Sequence, residues 1–204
     1  MKVYVVGSAK HYADFMTDVE LTNDIRRAKI VLFTGGEDVD PSIYGRTKLP
    51  QTYRNIERDL KEKEIFEKVR PNQLVVGICR GSQFCCVMNG GNLVQDCIGH
   101  ALHITHPIYS TKDNMVYEIT STHHQMQYPF SLPPEDYDIL YYGVCGRNFR
   151  GDGIDSKYLS DYNPEVVLYH KKDMPKCLAI QGHPEMMPDS PVAKMLDKLI
   201  KSLC

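Results

Sequence analysis

Long apolar runs are missing from this sequence. None of its uninterrupted apolar stretches nears the roughly 20 residues that a membrane-spanning helix needs. The N-terminus, MKVYVVGSAK, has only four consecutive apolar residues after Lys2, too few for a secretory leader. It reads as a first β-strand, and the expected location is the cytoplasm. An excess of either charge is also missing. Lys and Arg number 24 against 26 Asp and Glu, a formal net charge of −2. That offers no basic face for nucleic acid or an anionic membrane, and neither is expected as a partner. Repeats, low-complexity tracts and linkers are absent as well. Residues 1–204 are therefore expected to form one domain with a full core. The seven cysteines are odd in number and irregularly spaced. Without a leader they read as reduced thiols rather than a disulfide framework. No Cys-x-x-Cys pair occurs, and adjacent Cys85 and Cys86 would point in different directions on a helix, so zinc fits the cysteines poorly.

What is present is an alternation of apolar, β-branched runs with helical patterns. Lys2–Val6, Lys29–Phe33 and Gln73–Ile78 read as strands, the last apolar on both faces as in a covered parallel sheet. A helix is expected around Thr22–Ala28 and another over Tyr53–Arg70. In the second, Glu57/Lys61, Asp59/Lys63 and Glu64/Lys68 are acid-before-base pairs at i,i+4. Ile56, Leu60 and Val69 fall on or near one face, and Pro71 ends the helix. Strand-like runs follow in NMVYEITS, YDILYYGV, EVVLYHK and KCLAIQG. Val192, Met195, Leu196, Leu199, Ile200 and Leu203 then mark a final amphipathic helix, with Ser190 as N-cap and Pro191 at its first position. The fold class is α/β, a mostly parallel sheet covered by helices on both faces. Cys145–Pro164, rich in Gly, Asp and Tyr, reads as a long loop and a possible lid.

Chemistry concentrates at GICRGSQFCC. Strand, Gly77-x-Cys79-x-Gly81 and helix in succession form the pattern of a nucleophile elbow. The glycines leave room at a sharp turn. The following helix aims its N-terminal amides at the sulfur, which favours thiolate. The Arg80 amide can face a developing oxyanion. The bland alternative is a small buried cysteine at a tight turn, and packing is the better account of Cys85 and Cys86. A thiol nucleophile needs a base and the base an orienter. AIQGHPE supplies His183 and Glu185 two residues apart, after an apolar strand, with Pro184 stiffening the turn. A surface loop with an incidental His and Glu is the competing reading. The chain order of Cys elbow, late His-x-Glu and closing helix argues against it.

With these residues the sequence resembles the class I glutamine amidotransferase superfamily, a flavodoxin-like fold. Gly77, Cys79, Gly81 and Gln83 match its Gly-x-Cys-x-Gly-x-Gln, and His183, Pro184 and Glu185 its late His-Pro-Glu. GGEDVDPSIYG (Gly35–Gly45) is similar to the γ-glutamyl hydrolase branch, peptidase family C26. So are Arg58-Asp59, GGNLVQD, ALH and STHHQ. The resemblance implies that Cys79 attacks a γ-glutamyl carbonyl, His183 moves the proton and Glu185 orients it. It places the oxyanion hole at the amides of Gly36 and Arg80. It implies a substrate-binding role for Gly35, Gln83, His123 and His124, although Gln83 could be an ordinary solvent-facing helix residue and the histidines a strand-end pair, one in and one out. His100, His103 and His106 are spaced like a metal comb, but ALH suggests a loop and strand near the site. No metal or cofactor is assigned. The expected activity is that of a glutaminase supplying ammonia to a separate synthetase or ligase chain. The alternatives are a stand-alone γ-glutamyl hydrolase and, more remotely, a catalytically idle binding domain. The Cys145–Tyr158 stretch departs from the family pattern, so the leaving amine is left open.

Overall fold

The computed structural model describes residues 1–144, 146–159 and 162–204, without the side chains of residues 101–103 and 121. In chain order the elements are β1 (Lys2–Val5), β2 (Glu20–Leu21), β3 (Ile30–Phe33), α1 (Ile56–Phe66), β4 (Leu74–Ile78) and α2 (Arg80–Met88). Then come β5 (Asn92–Val94), β6 (Asp96–Ile98), β7 (Ala101–Ser110), β8 (Val116–Thr122), β9 (Met126–Tyr128) and β10 (Tyr137–Gly143). β11 (Arg147–Arg150), β12 (Asn163–Tyr169), β13 (Cys177–Ile180) and α3 (Pro191–Leu203) complete the chain. Nine strands form one sheet in the order β2-β1-β3-β4-β13-β12-β10-β7-β8. Neighbours pair in parallel from β2 to β13 and antiparallel from β13 outwards.

Burial on both faces explains the unbroken apolar runs of β3 and β4. Successive side chains point to opposite faces. Ile30, Leu32, Val76 and Ile78 pack against Val192, Leu196 and Ile200 of α3. Val31, Phe33 and Val75 pack with Phe84, Cys85 and Cys86 of α2. Both adjacent cysteines are thus core residues. α3 starts as its sequence requires: the Ser190 hydroxyl accepts from the Ala193 amide at 3.2 Å, and Pro191 follows the cap.

Several expectations are corrected. The Thr22–Ala28 helix is a single 3₁₀ turn, Ile25–Arg27. α1 is shorter than Tyr53–Arg70, starting from an Asn55 cap. Its inward face is not the apolar one: Leu60 is 50% exposed, while Asp59 and Glu62 are buried. The reason is Arg80 on α2, itself buried, which bonds both carboxylates. None of the three expected i,i+4 pairs occurs among the described residues, where Arg58 with Glu62, 2.8 Å apart, is the pair α1 makes internally. Cys145–Pro164 is not a bare loop either. β11 pairs with β6, residues 156–158 form a 3₁₀ turn, and Leu159 is buried beside Val94 and Met126. Cys145 lies outside the described residues. Among those described, no helix is long and apolar enough to cross a membrane.

Candidate active site

The β4–β13 register builds the site. Ile78 pairs with Ile180, so the residues that follow each strand emerge side by side. On one side is Cys79, whose amide donates to the Ile180 carbonyl at 2.8 Å. On the other is His183. Cys79 has φ 54° and ψ −112°, a left-handed backbone for a residue with a side chain. The flanking glycines make the turn possible by their lack of a Cβ. One on Gly77 would strike the Gly81 carbonyl and the Cys85 sulfur at 2.8 Å, and one on Gly81 the Phe33 carbonyl. Past the turn, the Ser82 and Gln83 amides donate to the Cys79 carbonyl, which leaves the Arg80 amide at the first position of α2.

His183 is held by its backbone: its amide donates to the Thr120 hydroxyl at 3.1 Å, and that hydroxyl donates to its carbonyl at 3.2 Å. Its Nδ1 bonds the Glu185 carboxylate at 2.6 Å, so Nδ1 carries the hydrogen. Nε2 is buried without a formed hydrogen bond. Burial opposes charge on the ring, but the influence of neighbouring Cys79 and Glu185 outweighs it and raises the imidazolium to about 10. Burial pushes Cys86 up to about 12 and Cys85 well above the ordinary thiol range.

Opposite the elbow is the Gly35-Gly36 turn after β3. Gly36 has φ +138°, and a Cβ there would strike the Arg58 guanidinium. Arg58 grips this turn, donating to the Gly35 carbonyl at 2.9 Å and to Glu37 and Glu62 at 2.8 Å. Tyr12 closes the other side. Its ring centroid is 6.0 Å from that of His183. Burial, then Glu185 and Cys79, raise its phenol to about 12, against a lowering backbone hydrogen bond from Gly35. Neither Tyr12 nor a role for the Arg58 side chain was legible in the sequence. Each depends on contacts between distant segments. A cavity of about 520 Å³ borders Gly35 and Arg58, and neither Cys79 nor His183 lines it.

The peptidase C26 family model matches residues 16–129, more than half of the chain. The chain belongs to the peptidase C26 family. It thereby falls within the class I glutamine amidotransferase superfamily. The candidate glutamine amidotransferase-like protein YvdE of Lactococcus lactis subsp. lactis is 29% identical over 163 residues, 77% of this chain and 65% of that protein. Protein NtpR of Enterococcus hirae is 29% identical over 117 residues, 47% and 49% of the two chains. The C26 chain thus spans about half to two thirds of the length of these curated relatives. Among solved structures, a candidate GMP synthase subunit from Thermoplasma acidophilum has a TM-score of 0.63 at 14% identity, covering 100% of this chain and 94% of that one. A glutamine amidotransferase of Thermotoga maritima has a TM-score of 0.56 at 13% identity, covering 100% and 94%. These two likenesses show the fold.

The remaining motif residues of this C26 chain are placed as follows. Gln83 is buried rather than solvent-facing, and its Nε2 donates to the Gln125 carbonyl at 2.9 Å while its Oε1 is buried with no partner among the described residues. The two histidines do split, one in and one out. His123 is buried and donates through Nδ1 to the same Gln125 carbonyl at 2.7 Å. His124 is half-buried and bonds Asp38 at 3.1 Å, with Asp96 behind it; the Asp38 bond is the main influence raising its pKa. The acids of GGEDVDPSIYG hold their own segment in shape. Asp38 accepts from the Tyr53 amide at 2.8 Å, and Asp40 caps the Pro41–Tyr44 turn.

Proposed function

We propose that this C26 protein hydrolyses a γ-glutamyl amide through a thioester on Cys79, with glutamine as substrate and ammonia passed to a separate synthetase chain. The observation that carries the reading is the alignment of Cys79, His183 and Glu185 across adjacent strand ends, with His183 Nδ1 fixed at 2.6 Å from Glu185. In the first half-reaction the Cys79 sulfur bonds the γ-carbonyl carbon. The C–N bond breaks, and the proton held on His183 goes to the departing nitrogen as ammonia leaves. In the second, water attacks the thioester carbon, gives a proton to His183 and displaces the sulfur, so glutamate is released and the thiol restored. The Gly36 and Arg80 amides stabilise the oxyanion in both. Arg58 and Tyr12 keep the Gly35-Gly36 turn in place for that task.

Glutamine is favoured by the amidotransferase-like relatives and by the structural neighbour named for a synthase. The second reading is a stand-alone γ-glutamyl hydrolase acting on a larger amine. It is favoured by the C26 match and the Gly35–Gly45 segment. The test follows glutamate release by the purified chain on glutamine and on a panel of γ-glutamyl amines. Weak turnover on all of them, raised by a co-purifying synthetase, supports the first reading. Unassisted turnover of about ten per second on one γ-glutamyl amine replaces it with the second.

A further inference from the structure

A second group of buried side chains meets in the antiparallel half of the sheet. His100 precedes β7, His106 lies on it, and Glu165 lies on β12; all three are buried. β10 lies between β7 and β12, so their contacts join strands that do not pair. Glu165 Oε1 is 3.1 Å from His106 Nε2 and 3.7 Å from His100 Nδ1.

Hydrogen bonding fixes the tautomer of His100. The Asn163 amide is oriented by its Nδ2, which donates to the Leu159 carbonyl at 2.6 Å, and by its Oδ1, which accepts from the Gly146 amide at 2.8 Å. Oδ1 can only accept from His100 Nε2, 3.0 Å away, so Nε2 carries a hydrogen. In a neutral ring Nδ1 is then a lone pair facing a carboxylate oxygen. A cation shared by the two atoms would replace that lone-pair repulsion with two bonds. The His123 ring lies against that of His100, centroids 4.7 Å apart, and its Nδ1 donates to the Gln125 carbonyl at 2.7 Å. Its Nε2 and Glu165 Oε2 are buried with no hydrogen-bond partner among the described residues.

We propose that His100 Nδ1, His106 Nε2 and Glu165 Oε1 form a structural site for a divalent transition-metal cation, with zinc the best match. Imidazole nitrogen and carboxylate oxygen bind zinc at about 2.0–2.2 Å, which sets tetrahedral ligand edges of about 3.3–3.5 Å. The separations of 3.1 and 3.7 Å straddle that value, and all three ligand atoms lie within 4.8 Å of one another. The bond from His100 Nε2 to Asn163 is the outer contact that orients a ligand histidine. Only two of the comb histidines take part on the described side chains; that of His103 lies outside them. The cation would tie β7 to β12. Through His123, the Gln125 carbonyl and Gln83 it would also brace α2, the helix behind the nucleophile. The site is enclosed, so its role is to hold, not to react.

The test strips the full chain with a chelator and titrates it with Co²⁺ and Zn²⁺. One equivalent should bind, the cobalt form should show the visible absorption of tetrahedral coordination without a thiolate charge-transfer band, and zinc should raise the melting temperature. Glu165→Gln and His106→Gln should each weaken cobalt binding by about tenfold or more, with Cys79→Ala binding as the parent does. Where a variant does not fold, stoichiometry and spectrum of the parent chain decide. No binding at millimolar cobalt overturns the proposal. Binding lost in Cys79→Ala but kept in Glu165→Gln also overturns it, by placing the metal on the catalytic thiol.

Discussion

Cys79 holds a backbone conformation, φ 54° and ψ −112°, that costs on the order of 1–3 kcal/mol for a residue with a side chain. The surrounding fold sustains it because the turn puts the sulfur at the head of α2 and beside His183. Cys79→Ala should therefore abolish turnover. Iodoacetamide at mildly acidic pH should label Cys79 first, since burial keeps Cys85 and Cys86 protonated. Equal labelling of Cys86, read by peptide mass spectrometry, would contradict this. His183→Ala should lose on the order of a thousandfold in kcat, and Glu185→Gln less, because Glu185 acts only through the imidazole. Full activity in both would move the base elsewhere. His183 also links stability to pH. Its folded pKa is raised from 6.5 to about 10, so the folded chain holds the proton more tightly between those values. Its contribution is whole below about pH 6.5 and disappears as pH rises through about 10. The melting-temperature difference between parent and His183→Gln should shrink across that window; a constant difference would refute the linkage.

At the scale of elements, α1 is the instructive case. A helix packed by two buried acids is stable only because α2 presents Arg80 between them. Burial is the largest influence on Asp59 and pushes its carboxyl up, with Arg80 opposing, so the pair is expensive when broken. Arg80→Met leaves Asp59 buried without a cation and Glu62 with Arg58 alone, and should lower unfolding stability by about 3–5 kcal/mol. Chemical denaturation would measure this, and a loss within about ±0.5 kcal/mol, the ordinary surface range, would mean that the acids are solvated after all. The same cluster matters for the site. Glu62 also holds Arg58, and Arg58 holds the Gly35-Gly36 turn.

Across the whole molecule, the proposed triad is assembled from segments 104 residues apart that only the sheet brings together, through β4 beside β13. α3 then covers the face that these strands share. Val192, Ala193, Leu196 and Ile200 are almost fully buried on it, and Asp197 accepts from the Thr17 hydroxyl at 2.6 Å, tying it to the N-terminal segment. Ending the chain before Pro191 would expose that core face while keeping every triad residue. The truncated chain should lose its cooperative thermal transition. A sharp, near-parental melt by circular dichroism would show that α3 is dispensable.

Much of this protein is local and therefore readable from the chain alone. The covered strands announce themselves as unbroken apolar runs, α3 by its 3.6-residue period and its Ser-Pro start, and the elbow by glycines that no other residue could replace. Those features depend on neighbours a few positions away. The family followed from the same residues, because Gly77, Cys79, Gly81, His183 and Glu185 carry their spacing in the sequence. What tertiary structure decided depends on partners far along the chain. α1 looked like a helix with apolar Leu60 inward, but burying Arg80 requires two carboxylates, so the charged face turned in. The 145–164 stretch has a loop's composition, yet its backbone finds β6 and its Leu159 finds Val94. Three histidines at regular spacing said little until the sheet placed Glu165 against two of them. A buried charge takes its meaning from the group that neutralises it, and that group is chosen by the fold.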